Sequence, residues 1–258
     1  MSTPSAASPL KFLALDTSTD QMSVAVSVAD RVWAFTGAGG AQSSSTLIAV
    51  IQDLLAQAQV RLSELTAIVW GQGPGSFTGL RTACSVAQGL GFGAGVPLLP
   101  VSTLWAVAED ARSMHQPNPA SPWHVLALLD ARMGELYAAE LCWAQGRWSA
   151  LGSERLMAPE QVAPCWAEML TLNSVANKPA HLVGNAFMTY YERMHLPASA
   201  SSQCITAAPT ATALLRLAPV LWAEGAAVPA EQALPRYVRD KVAQTTAERM
   251  LQRAPQPQ

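Results

Sequence analysis

Two stretches of this chain repeat one pattern, and that repeat limits the fold more than any other feature. "FLALDTSTDQMSVAVSVADRVWAF" starts at Phe12 and "VLALLDARMGELYAAELCWAQGRWSAL" at Val125. Each opens with an apolar strand that ends in an aspartate, Asp16 in the first and Asp130 in the second. A turn, a second strand, a short polar break and a Trp-containing third strand follow in both. The simplest explanation is a duplicated antiparallel meander, and therefore two related lobes.

From Ser43 the apolar period becomes helical, with Leu47, Val50, Ile51, Leu54 and Leu55 on one face. "AIVWG" then reads as a buried strand, Ser76 to Gly91 as a helix, "PLLPV" as a strand and Thr103 to Met114 as a helix. The order βββαβαβα is that of an α/β domain. The Pro-rich "HQPNPASPW" is the natural boundary. The expected division is a lobe over 1–114, a smaller lobe over 115–235 and a partly disordered tail over 236–258, with a disordered leader in front. "AHLVGN" should be a strand of the second lobe, and "APEQVAPCWAEML", "AFMTYYERM" and "TATALLRLAPVLWAEG" its helices. Both lobes would be built on a βββαβα unit.

Two such lobes, each with an aspartate ending its first strand, describe the ASKHA fold of actin, hexokinase and Hsp70, where a nucleotide lies between the lobes. Asp16, Thr17 and Ser18 could face phosphate or a hydrated metal from a turn. Gly73, Gly75 and Ser76 could do so from a helix N-terminus. The competing reading of both motifs is purely structural, a polar strand end and a tight strand-to-helix turn. Gly75, Gly79, Ala83, Ala87 and Gly91 recur every fourth residue and lay a ridge of small side chains along the helix. Glycine inside a helix costs about 1 kcal/mol relative to alanine. Close approach of another backbone would offset that cost, either from this chain's own sheet or from a partner.

Only 13% of residues are charged, against roughly 25% in average globular proteins, so the chain either has an unusually apolar surface or hides some of it against a partner. A net charge of −2 gives no sign of a nucleic-acid patch. Cys84, Cys142, Cys165 and Cys204 are scattered, which points to neither a disulfide framework nor a zinc knuckle. No apolar run approaches the roughly 20 residues of a membrane span, and the chain reads as soluble and cytoplasmic. Ser76 lies in GPGSF rather than in a nucleophile elbow, with no nearby histidine to serve as base.

"LALDTSTDQMSVAV", "GQGPGSFTGLRTACSVAQGLGFGAGVPLLPVSTL", "DARMGELY" and "PRYVRDKVA" together resemble the TsaB (YeaZ) family. The likeness runs in order from about Leu13 to Ala243, and GxGPGSFTGLR is highly specific. It implies an ASKHA-type fold and an accessory role in making the tRNA modification threonylcarbamoyladenosine. The partners it implies are a TsaD-like catalytic subunit and a TsaE-like ATPase, with tRNA met only through the complex. It also implies association through the helices on either side of the glycine loop. The interface would then hold Leu47, Val50, Leu54, Gly75, Ser76, Phe77, Gly79, Arg81, Ala83 and Ala87, and would serve a homodimer when the chain is alone.

The resemblance further implies a degenerate nucleotide site, made of Asp16, Thr17, Ser18, Gly73, Gly75 and Ser76. No tightly bound cofactor is expected, with ATP given a place at the partner interface. The catalytic paralogue carries two metal-binding histidines four residues apart after its "GIPLVGV" strand. Thr103 and Val107 stand at those positions here, so no metal site is expected. Ser43 and Thr46 replace a histidine and an arginine that relatives commonly show, which removes a polar contact expected of that turn. The reading is a non-catalytic scaffold. The alternative is an ATP-dependent kinase or ATPase of the same fold, and a stand-alone RNA-binding module is disfavoured by the charge.

Overall fold

The structure, a computed structural model, describes residues 9–39, 43–173 and 180–239. The expected disorder of the leader and of most of the tail falls outside them. Strands β1 (Lys11–Asp16), β2 (Gln21–Val28) and β3 (Arg31–Ala38) form the first meander, followed by α1 (Ser43–Ala58), β4 (Ala67–Gly73), α2 (Phe77–Ala94), β5 (Leu98–Ser102) and α3 (Thr103–His115). The second meander is β6 (Trp123–Arg132), β7 (Glu135–Ala144) and β8 (Arg147–Ala150), with a short β9 (Arg155–Met157). Then come α4 (Val162–Asn173), β10 (Ala180–Gly184), the single turn α5 (Phe187–Tyr190), β11 (Cys204–Thr206) and α6 (Ala211–Ala223).

The two sheets show the duplication directly. The first has the order β3-β2-β1-β4-β5 and the second β8-β7-β6-β10-β11, with β9 added to β7. In each, the first strand pairs antiparallel with the second and parallel with the fourth, and the fourth and fifth are parallel. This is the two-lobed ASKHA arrangement on an α/β plan. "AFMTYYERM" departs from expectation, being one α-turn and then a 3₁₀ turn over Glu192–Met194 rather than a helix. Tyr190 is tied by its hydroxyl to Asp130, and Met194 is buried in the core, so tertiary anchors bend the segment.

Period-two alternation in β2 explains how the first sheet is covered. Met22, Val24 and Val26 face one side, against α1 and α2. Ser23, Ala25 and Ser27 face the other, where α6 packs across β1, β2 and β4. The Ala211 N–H at the start of α6 donates to Ser23 Oγ at 2.9 Å, so the first sheet satisfies an end of a helix from the second half. α3 does the converse and packs on β6, β7 and β10. Each lobe's last helix thus covers the other lobe's sheet, and one hydrophobic core runs from Phe12 and Val69 through Leu104 and Leu214 to Val125 and Val183.

Buried Glu109 on α3 reinforces this shared layer. It accepts two hydrogen bonds from Arg112, both at 2.7 Å, one from Arg216 of α6 at 3.0 Å and one from Trp148 Nε1 at 3.0 Å.

Candidate functional site

The C-terminal ends of β1, β4, β6 and β10 converge on a crevice between the lobes, as strand ends do in open α/β sheets. The crevice has a volume of about 290 Å³. Ser18, Asp20, Gly75, Ser76 and Phe77 line one wall, Asp130, Arg132, Met133 and Asn185 the other, and Arg236–Arg239 also line it.

Asp16 sits at the root of the first wall, only 1% exposed. Its Oδ1 accepts from the Ser18 N–H at 2.8 Å and from Ser18 Oγ at 2.7 Å, while Oδ2 is buried with no hydrogen-bond partner. Burial raises its pKa to about 6, against a smaller opposing effect of the Ser18 bonds. Asp130 repeats the turn, accepting from the Arg132 N–H at 2.7 Å, but also takes the Tyr190 hydroxyl and Arg132 as partners.

The Asp16–Ser18 turn and the glycine loop also contact each other directly. The Ser76 N–H donates to the Ser18 carbonyl at 2.8 Å, and Thr17 Oγ1 donates to the Gly79 carbonyl at 2.6 Å. A Cβ at Gly75 would lie 2.7 Å from Ser18, and one at Gly79 only 1.8 Å from the Thr17 carbonyl oxygen. Ser76 caps α2 by accepting from the Gly79 N–H at 3.4 Å. Gly73 has φ +123° and faces the Arg236 carbonyl oxygen. Donors that would greet a phosphate are therefore engaged within the chain, and Asp16, Thr17 and Ser18 are all buried.

The small-residue ridge faces inward, which corrects its expected direction. Leu47, Leu54, Ala83 and Ala87 are at most 3% exposed, all in the core under the first sheet, and Val50 packs against that core. A partner cannot reach these side chains while they are so covered. Gly79 and Gly91 serve close approach to the chain itself, at Thr17 and Leu98. Ser76, Phe77 and Arg81 do reach the surface, and Arg81 lies 3.8 Å over the Phe77 ring. The Ser43 side chain lies outside the described residues, and Thr46 is exposed.

A second side of α2 is covered by the chain beyond α6. Gln88 Nε2 donates to the carbonyls of Ala230 and Ala233, and Arg81 Nε to the Tyr237 hydroxyl at 3.2 Å. A third side is left uncovered by the described residues, where Thr78, Ser85, Gly89, Phe92 and Gly93 are exposed. Phe92 is 80% exposed, and among the described residues nothing lies within 4 Å of a Cβ built at Gly89 or Gly93. The sequence reading missed Phe92. The signal was there, because Thr78, Ser85 and Phe92 stand seven residues apart, two helical turns each.

Thr103 and Val107 are fully buried on α3, and the Thr103 hydroxyl donates to the Pro74 carbonyl. Among the described residues, no group of three or more His, Cys, Asp or Glu is placed to hold a metal. No helix among them is long and apolar enough to cross a membrane.

Residues 39–253 match the family model described as TsaD, tRNA N6-adenosine threonylcarbamoyltransferase. The tRNA threonylcarbamoyladenosine biosynthesis protein TsaB of Haemophilus influenzae is 31% identical over 241 residues, 90% of this chain and 95% of that protein. Its namesake in Escherichia coli is 32% identical over 235 residues, 91% and 96% of the two chains. The solved structure of YeaZ from Pseudomonas aeruginosa is 37% identical and superposes with a TM-score of 0.74, over 88% of this chain and 99% of that one. With agreement over nearly the full length in sequence and structure alike, the chain belongs to the TsaB (YeaZ) family.

Proposed function

We propose that this chain is a non-catalytic scaffold in the synthesis of threonylcarbamoyladenosine in tRNA. In this reading it pairs with a TsaD-type catalytic subunit, helps bring a TsaE-type ATPase to the assembly, meets tRNA only through that assembly, and works in the cytoplasm. The observation that carries the reading is the closed contact between the Asp16–Ser18 turn and the start of α2, which engages the groups a nucleotide would need. Thr103 and Val107 support it, since neither can act as an imidazole ligand.

The docking surface is the uncovered side of α2 rather than its inward ridge. Ser85, Gly89 and Gly93 let a second helix approach closely, and Phe92 supplies the large anchor that interface centres favour. Ile48 and Gln52 of α1, a helix that touches α2, are exposed as well. The same side pairs two copies when the chain is alone, and a nucleotide meets the complex at the partner boundary, not between these lobes.

Gly89→Leu and Phe92→Asp test this. Among the described residues nothing contacts a Cβ at Gly89, so neither variant should melt below wild type. Overpacking a helix contact costs about 1–3 kcal/mol, roughly ten- to a hundredfold in affinity for the TsaD-type subunit. Gel filtration with that subunit reports the outcome, and folded variants that assemble as wild type does would place the interface elsewhere. The kinase alternative has its own test: nucleotide turnover by the isolated chain, lost in Asp16→Asn, would overturn the scaffold reading.

A further inference from the structure

The two lobes are joined at the base of the crevice by the shared core of α3 and α6. At its mouth, a direct side-chain bridge between the facing walls runs from Arg132 to Asp20 at 2.6 Å. Those side chains are 66% and 84% exposed, and an ion pair that open to water contributes little. What else spans the mouth is the segment Arg236–Arg239.

Each anchor of this segment is specific. The Arg236 N–H donates to the Gln72 carbonyl at 2.7 Å, and the Arg236 carbonyl lies against Gly73, where a Cβ would come within 2.3 Å. The Tyr237 ring packs on Phe77 with centroids 5.4 Å apart, and its hydroxyl accepts from Arg81. These contacts fasten it to the first lobe. Val238 packs against the shared core. Arg239 then fastens it to the second lobe, donating to the Glu135 carboxylate and to the Arg132 carbonyl at 3.4 Å. The Arg239 side chain is only 12% exposed, while the Glu135 carboxylate it meets is 43% exposed.

We propose that Arg236–Arg239 is a latch that ties the lobes together across the mouth of the crevice and keeps that mouth shut. The shared core acts as the hinge, and release of either end of the latch lets the walls separate. The weak Arg132–Asp20 bridge does not hold them by itself.

Hydrogen exchange on the full chain, read by mass spectrometry, tests this in wild type, Arg239→Ala and Tyr237→Ala. Leu234→Ala is the control, because Leu234 is 70% exposed just before the latch. Both latch variants should raise exchange at least tenfold in the facing walls, residues 18–20 and 130–135, with β1 and residues 123–129 of β6 unchanged. Should Arg239→Ala lose core protection, Tyr237→Ala carries the test alone, since it cuts the other anchor at a half-exposed ring. The proposal is overturned if exchange rises only within 234–239 while both walls keep wild-type protection, or if Leu234→Ala opens the walls equally.

Discussion

Gly79 and Gly89 lie on the same helix, and the structure predicts opposite signs when each becomes alanine. At Gly89 a Cβ meets nothing within 4 Å, so Gly89→Ala should gain most of the helix-propensity difference, about 1 kcal/mol. At Gly79 the same methyl would stand 1.8 Å from the Thr17 carbonyl oxygen and 2.9 Å from its carbon. Neither side yields easily, since the Thr17 hydroxyl donates to the Gly79 carbonyl and the Ser76 N–H to Ser18. Relief requires the turn and the helix to part by about 1 Å, a strain of overpacking costing about 1–3 kcal/mol. Two weakened hydrogen bonds add about 1 kcal/mol each. After the propensity gain is deducted, Gly79→Ala should destabilise by about 2–4 kcal/mol. For a chain of this size that lowers Tm by about 4–16 °C, whereas Gly89→Ala should raise it by about 2–4 °C. Thermal melts and urea titrations of both variants beside wild type give the comparison. A Gly79→Ala protein as stable as wild type would refute the close approach of turn and helix.

Asp16, its pKa raised to about 6 by burial, favours folding while protonated, a contribution fully present below its unfolded pKa of 3.8 and lost as pH rises through 6. Asp16→Asn should therefore remove a penalty of up to about 3 kcal/mol at neutral pH, seen as a smaller loss of stability between pH 4 and 7 in urea titrations. His181 has the opposite sign: burial, and then His115, lowers its pKa to about 4, and its Nδ1 accepts from Trp123 Nε1 at 2.9 Å. Its contribution is present above the unfolded value of 6.5 and is lost as pH falls toward 4, by up to about 3 kcal/mol, and His181→Gln should flatten that limb of the profile. Glu109→Ala strands Arg112, Arg216 and the Trp148 N–H at the lobe boundary, and chemical unfolding should report a loss of about 3–5 kcal/mol.

The duplicated architecture was legible because it rests on local patterns that burial enforces. Asp16 ends its first strand, Asp130 stands two residues before the end of its own, and each accepts from the backbone N–H two residues on. The alternation in "MSVAVSV" announces a strand, but not that both faces are covered, as the structure shows with small polar residues filling the second. The short β9 and β11 carry too few residues to show any period, and neither was anticipated. The exchange of α3 and α6 between sheets was not legible either. Periodicity tells which residues of a helix share a face, and says nothing of which sheet that face will meet.

The site shows the same limit more sharply. Gly79 and Gly89 are identical letters in one helix, yet one is pressed on a carbonyl and the other opens to solvent. What separates them is a contact with Thr17, sixty-two residues away, that no window along the chain contains. The ridge Gly79–Ala83–Ala87 was correctly seen as a surface for close approach, but its partner is the chain's own first turn and sheet. Once that ridge and the side facing residues 230–237 are accounted for, one side of α2 remains, and its content is no accident of leftovers. Ser85, Gly89 and Gly93 lack the charged or long polar side chains that solvated helix faces usually carry, and Phe92 stands among them 80% exposed. A helix so placed costs stability twice, through its glycines and through its bare phenylalanine. Contact with a second helix would offset both costs, and solvent would offset neither.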